Sequence, residues 1–328
     1  MRDVAERAGV SLKTVSRVIN AEPGVATETA AKVGVAIEEL GFQRNDLARS
    51  LRQGHTSSTI GLVIEDVGNP FYSAIAQAVE QAAREHGCLL ITSSCEEDPE
   101  RERELVRALM RRRVDALILV PASHDHAYLP RELGGNTPVV FLDRPPEGID
   151  VDSVLLDNVG GARAAVEHLL AQGHRRIAYV ADPDTLYTAA ERLAGYRQAM
   201  TAAGVEIDPQ LVRLGSHDAA QGEAVVRELL ALDEDVRPTA LFCGNNRHTV
   251  GALRALRGLG DEVALIGFDD FELADLLGTT VVRHDSQDFG QHAAALAFGR
   301  LDGDDGPPRR VVVETQIVAR GSGEVAPR

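Results

Sequence analysis

Leu12, Lys13, Ser16, Arg17 and Asn20 fall on one side of a short helical pattern, and their chemistry suits contact with a nucleic acid. An arginine such as Arg17 donates two parallel bonds to guanine O6 and N7, a pairing worth roughly 1–3 kcal/mol of discrimination. Lys13 reaches either a guanine or a phosphate. Leu12 makes only apolar contact, for instance with a thymine methyl. Thr14 and Ser16 carry hydroxyls suited to phosphate contacts that set register. Catalytic chemistry is not signalled. The chain has no Gly-x-Ser-x-Gly elbow, no glycine-rich phosphate loop with a lysine and no spaced metal-ligand motif. His124-Asp125-His126 is an isolated loop triplet, expected to be solvated.

Two short helices position the first group. Val4, Ala5 and Ala8 mark the inward face of one, and Gly9-Val10 interrupts it. Ser11 can cap a second, in which Val15, Val18 and Ile19 point inward. Two helices joined at a glycine, the second with a basic outer face, describe a helix-turn-helix. A third helix is predicted over 27–40, with Val33, Ile37 and Leu40 apolar and Thr27 or Ala26 at its start. Asn45 then caps a helix-compatible stretch through Arg52. It is too short to be stable alone, so DNA or a partner chain would have to hold it. Gly54 to Ser58 reads as a linker.

Charge is distributed unevenly. The 328 residues carry 34 Lys and Arg against 50 Asp and Glu, a formal −16. Residues 1–54 hold eight basic and seven acidic side chains, so almost the whole deficit lies in the remainder. An acidic body repels phosphate, which confines nucleic-acid contact to the N-terminal surface. No apolar run reaches eighteen residues and no signal peptide is evident, so a cytoplasmic chain with no membrane partner is expected. Cys88, Cys95 and Cys243 read as buried free thiols.

From Thr59 the pattern alternates. Candidate strands run Thr59–Glu65, Cys88–Ser94, Ala116–Ala122, Pro138–Asp143, Ser153–Asp157, Ile177–Asp182, Thr239–Gly244, Val263–Phe268 and Thr280–His284. Amphipathic stretches between them include 71–86, 100–113, 159–172, 190–203, 219–232 and 247–259. Arg310–Arg320 is read as one last strand. Continuous Val/Ile/Leu runs separated by helices indicate parallel sheets covered on both faces. The length exceeds one doubly wound unit, so two lobes are expected, with ligands beyond the carboxyl ends of the strands.

Asp3-Val4-Ala5, Gly9-Val10-Ser11, Thr14-Val15-Ser16-Arg17, Glu38-Glu39-Leu40-Gly41-Phe42 and Ala48-Arg49-Ser50-Leu51 resemble the lactose-repressor and purine-repressor (LacI) family of bacterial regulators. The resemblance continues through Asn69-Pro70-Phe71, Val114-Asp115, Asp157-Asn158, Gly173-His174-Arg175-Arg176, Arg192-Leu193-Ala194-Gly195-Tyr196 and Gly267-Phe268-Asp269-Asp270. It covers essentially the whole chain. It implies an all-α helix-turn-helix domain over 1–44, a hinge helix and linker over 45–58, and an α/β periplasmic-binding-protein-like core over 59–328. That core would have an N-lobe of about 59–157 and 286–314 and a C-lobe of about 158–285 and 315–328. The implied protein is a homodimer that binds a pseudo-palindromic operator in double-stranded DNA and takes a small effector between its lobes. Leu12, Lys13 and Arg17 occupy the family's base-reading positions. Asn45, Ala48 and Leu51 belong to its DNA-binding hinge, Leu51 matching a leucine that opens a base step from the minor groove. Relatives carry a helix-capping threonine before the Asp3-Val4-Ala5 motif. Met1 leaves a positive amine at that helix terminus instead. The absence of a leucine heptad after Gly321 points to a dimer over a tetramer.

Position by position, the same resemblance lines the cleft with Phe71, Tyr72, Thr188, Arg192, Asn245, Asp269 and His284, and with Asn69, Arg144 and His217 as further candidates. A sugar needs planar Asp, Asn and Arg groups around its hydroxyl edge and an aromatic against its face. Alternatives remain for several of these. Arg192 also fits a helix surface, Asp269 a helix N-cap, and Phe71 and Tyr72 the core. His217, Asn246 and His284-Asp285 depart from common family residues, and with Arg144 and Arg247 they add neutral or cationic donors. That set favours an effector bearing an acid or phosphate. The expected function is a DNA-binding repressor governed by a carbohydrate-type effector. A purine-responsive corepressed regulator is the alternative, and a solute receptor or enzyme on the same core is a more distant one. No cofactor is implied.

Overall fold

The computed structural model describes residues 1–19, 24–41, 58–135, 137–258 and 263–327. It falls into two units, Met1–Ser57 and Ser58–Arg328. In the first, helix α1 (Arg2–Ala8) ends at Gly9, whose φ of 66° suits a residue without a side chain. The turn lets the Val10 amide reach back to the Ala5 carbonyl at 3.0 Å. Ser11 caps α2 (Leu12–Ile19), its Oγ accepting the Thr14 amide at 3.1 Å. Helix α3 (Thr27–Glu39) closes the unit over Val4, Ala5, Val15, Val33 and Ala36, all buried. Leu40, expected inward, is half exposed, because it follows the last helical turn and Ala36 fills the place facing α1 and α2. Met1 stands at the N-cap of α1 without a side-chain cap bond. Asn45, Ala48 and Leu51 lie outside the described residues.

The second unit contains two six-stranded sheets. One runs β11-β5-β4-β3-β1-β2, from β1 (Thr59–Ile64), β2 (Leu89–Ser94), β3 (Ala116–Leu119), β4 (Val139–Leu142), β5 (Asp152–Leu156) and β11 (Arg310–Val313), all parallel. The other runs β12-β10-β9-β8-β6-β7, from β6 (Ile177–Ala181), β7 (Val212–Leu214), β8 (Ala240–Cys243), β9 (Ala264–Phe268), β10 (Thr280–Arg283) and β12 (Gln316–Val318). Its edge strand β12 is antiparallel to β10. Central strands such as Ala116–Leu119 and Ala240–Cys243 are buried at every residue, as parallel strands covered on both faces must be. Helices α4 (Pro70–Glu85) and α11 (Ser286–Leu301) cover one face of the first sheet, and α5 (Pro99–Arg111) and α6 (Leu129–Glu132) the other. In the second sheet, α7 (Asn158–Ala171) and α8 (Tyr187–Ala202) lie opposite α9 (Ala219–Leu230) and α10 (Asn246–Leu256).

The chain crosses between the sheets three times: after β5, after β10 and between β11 and β12. The last crossing corrects the reading of Arg310–Arg320 as a single strand. Glu314 and Thr315 break it, so that Val313 pairs with Leu156 and Ile317 with Val282. His126 is also corrected: it is buried, edge-on to Phe141, with Nδ1 accepting the Glu147 amide at 2.9 Å. Its burial holds its pKa below the usual imidazole range. Cys95 and Cys243 are buried free thiols, and burial pushes Cys95 up to about 12. Cys88 is only partly buried.

Helix α8 approaches α7 closely enough that a Cβ at Gly195 would stand 2.4 Å from the Val159 carbonyl. This contact sets where the preceding turn of α8 places Arg192. Gly195→Ala is therefore expected to cost about 1–3 kcal/mol of stability and to lower the thermal midpoint of the core. An unchanged midpoint would show that the helices part without penalty.

Candidate functional site

A cleft of about 390 Å³ opens at the carboxyl ends of the strands, with lining residues from both lobes. Asn69 precedes α4, and its Oδ1 accepts the Phe71 amide at 3.1 Å, which caps that helix. Pro70 at the first helical position fixes the turn. Phe71 and Tyr72 follow, 8 % and 3 % exposed, so they belong to the core as well as to the lining. The Tyr72 hydroxyl donates to Asp143 Oδ2 at 3.1 Å. Asp143 follows β4 with φ of 68°, and Asp269 stands at the equivalent place after β9 with φ of 69°. Two aspartates in left-handed backbone at the two strand ends mark positions where fold and chemistry meet. Asp269 follows a strand and lies on no helix N-terminus, which settles its N-cap alternative.

Arg192 is buried and lies over the Phe268 ring at 3.7 Å. Its Nε donates to Asn158 Oδ1 at 2.8 Å, its Nη1 to the Gly244 carbonyl, and Asp269 Oδ2 stands 3.8 Å from Nη1. Burial works to raise the Asp269 pKa, but Arg192 and His284 outweigh it and hold the carboxyl below its usual range. Asn245 caps α10 by accepting the His248 amide at 2.9 Å, and its Nδ2 donates to Asp182 at 2.7 Å. Thr188 and half-exposed His217 also line the cleft, His217 Nδ1 lying 3.5 Å from Asp182.

Two of the candidate positions have other tasks. His284 does not line the cleft. It is buried behind it, with Nε2 3.2 Å from Asp269 Oδ1 and its ring edge-on to Phe71. Arg144 lines the cleft but is bound within the protein, by both Glu97 oxygens and by the Pro121 carbonyl at 2.8 Å. Arg247, read from the sequence as a donor for an anion, bridges to Glu65 at 3.0 Å and Asp66 at 2.6 Å. Beside it, Asn246 donates to Asn69 Oδ1 at 2.9 Å across the lobes.

Sequence reasoning missed the acidic lining. Glu65, Asp66, Glu96, Glu97, Asp143, Asp182 and Asp218 join Asp269, so eight carboxylates face three guanidinium groups. Burial, more than any charge, pushes Glu65 up to about 7. It also raises Asp143, despite the nearby Arg144 and Arg192. A signal was present: Glu65, Asp143, Asp182 and Asp269 each fall at or just past the end of a candidate strand, where the strand-end rule places ligands. The cationic lining expected from Arg144 and Arg247 is therefore overturned, since both are spent on neighbouring carboxylates.

In the N-terminal unit, Leu12 is 46 % exposed and Lys13 is exposed beside it, while Thr14, Ser16 and Arg17 are partly covered. The Thr14 hydroxyl is 2.9 Å from Ser11 Oγ, so it serves the helix cap. Arg17 lies against Gly24, where a Cβ would meet its Nη2 at 2.9 Å.

A helix-turn-helix attached to a two-lobed core with a polar cleft defines a ligand-responsive DNA-binding regulator. Residues 1–45 match the family model described as bacterial regulatory proteins, lacI family, and residues 57–297 match that of periplasmic binding proteins and sugar binding domain of LacI family. The chain belongs to the LacI family of bacterial transcriptional regulators. It is 37 % identical to the transcriptional regulator CelR of Thermobifida fusca, over 98 % of this chain and 97 % of that one. The solved complex of a regulator CelR with cellobiose is 34 % identical, with a TM-score of 0.72 and 98 % of both chains covered. The lac repressor dimer bound to operator and an anti-inducer is 28 % identical with a TM-score of 0.85, again over 98 % of each chain. Among the described residues no helix is long and apolar enough to cross a membrane, and no cluster of ligating side chains fits a metal ion.

Proposed function

We propose that this regulator is a cytoplasmic, non-enzymatic repressor whose affinity for a pseudo-palindromic operator is set by a small carbohydrate-type molecule bound between the lobes. The observation that carries the reading is the ring of planar polar groups contributed by both lobes: Asn69 and Asp143 from one, Arg192, Asn245 and Asp269 from the other. Such groups match the in-plane lone pairs and hydroxyls of a sugar edge, and a ligand touching both lobes changes their relative energy. The cellobiose complex of the CelR relative supports a sugar in this place. A purine is less well served, because Phe71 and Tyr72 are almost wholly covered and offer little flat face for a base. For the same reason they contribute apolar edges to a sugar more than a stacking platform.

We assign DNA reading to Leu12, Lys13 and Arg17, phosphate contact to Ser16 and to the Thr14 hydroxyl that also serves the helix cap, and hinge contacts to Asn45, Ala48 and Leu51. A second copy supplies the other half-site, as in the lac repressor dimer bound to operator. Exposed Leu273, Leu276 and Leu277, the second 81 % accessible, provide an apolar patch for that copy to cover. The test is retention of the DNA upstream of the protein's own gene by the purified full-length protein, with and without a panel of sugars. Specific retention that one sugar alters at least tenfold is expected. Retention indifferent to every sugar would overturn the carbohydrate part of the reading.

A further inference from the structure

The charges of the cleft restrict the effector further, given that the cleft is the effector site as proposed. Each guanidinium is already engaged: Arg144 with Glu97, Arg247 with Glu65 and Asp66, and Arg192 with Asn158, the Gly244 carbonyl and Asp269. Carboxylates remain in excess. Among the described residues Asp143 Oδ1 is buried without a hydrogen-bond partner, while Oδ2 accepts the Tyr72 hydroxyl and lies 4.0 Å from Arg144 Nε. A buried carboxylate oxygen left without a donor is costly, and a bound molecule that brings a donor removes that cost. From the opposite lobe, Asp182 faces the same space, accepting from Asn245 Nδ2 at 2.7 Å and lying 3.5 Å from His217 Nδ1.

We infer that the molecule held between the lobes carries a protonated amine, as an aminated sugar does, and that Asp143 and Asp182 receive it. An ammonium presents three donors and no acceptor, which suits carboxylates converging from two lobes. A phosphate or sugar acid would meet eight carboxylates against three guanidinium groups, with only Arg192 Nη2 left to receive it among the described residues, so the cleft disfavours anions. Burial raises the Glu65 and Asp143 pKa values, and a bound ammonium would draw both back down.

Titration calorimetry of the full-length protein at neutral pH tests this with glucosamine, galactosamine and mannosamine. Each is compared with its hydroxyl parent, its N-acetyl form and its hydroxyl parent's 6-phosphate. At least one amine is expected to bind tenfold or more tightly than its parent and its N-acetyl form, with no binding by any phosphate. Asp143→Asn should reduce that preference below threefold, and Asp182→Asn provides the same readout from the other lobe should the first variant fold poorly. A parent or phosphate binding as well as the amine overturns the inference and leaves the carbohydrate-responsive reading intact. Failure of every amine also overturns it, and failure of all the sugars overturns both.

Discussion

Arg17→Ala is expected to erase discrimination between the operator and scrambled DNA. One arginine–guanine pairing is worth roughly 1–3 kcal/mol, and a dimer makes it at two half-sites. The loss is then about 2–6 kcal/mol, or roughly thirty-fold to twenty-thousand-fold in operator affinity. The fold should survive, because Val4, Ala5, Val15, Val33 and Ala36 form the buried core of the unit and Arg17 is not among them. Fluorescence anisotropy on specific and scrambled duplexes at fixed salt separates the effects. For Arg17 only the specific duplex should weaken, whereas Lys13→Ala acting through a phosphate would weaken both. Equal weakening of both duplexes by Arg17→Ala would remove it from base recognition.

The second large effect is expected at Arg192. Two of its nitrogens are committed inside the C-lobe, so among the described residues Nη2 remains for a bound molecule. Arg192→Ala removes a charge-assisted donor and leaves buried Asp269 with His284 and the Asn246 amide beside it. Charge-assisted bonds contribute about 1.5–3 kcal/mol each, and the misplacement of Asp269 adds to the loss. Effector affinity is expected to fall at least a hundredfold while operator binding persists, producing a regulator that no longer responds. Arg192→Lys keeps the charge without the planar fork and should recover stability but not affinity. An effector response unchanged in both variants would place the binding site elsewhere.

Much of this was legible from residue types because the governing rules are local. Gly9 and Ser11 announced the turn and the cap, and the continuous apolar runs announced buried parallel strands. Helix 286–301 carries no legible periodicity, for a physical reason. Phe289, Gly290, Ala293, Ala294, Leu296, Ala297 and Phe298 are buried around most of its circumference, so no polar stripe alternates with an apolar one. Strand Val212–Leu214 is too short for a pattern to register. In the cleft, residue types predicted membership better than role. Asn69, Thr188, Arg192, Asn245 and Asp269 were named and do line it. The tasks of Arg144, Arg247 and His284 depend on partners 15 to 182 residues away in the chain, Asp269 nearest to His284 and Glu65 farthest from Arg247. Charge counting on the sequence cannot see which cations are already spent.

The three crossings between the sheets also bear on how the chain is made. Strand β11 completes the edge of the first sheet and β12 the edge of the second, yet both lie within residues 310–318. During synthesis neither sheet is complete until this late segment leaves the ribosome. A stop codon near residue 309 would strip one edge strand from each sheet at once, leaving two exposed parallel edges open to pairing with other chains.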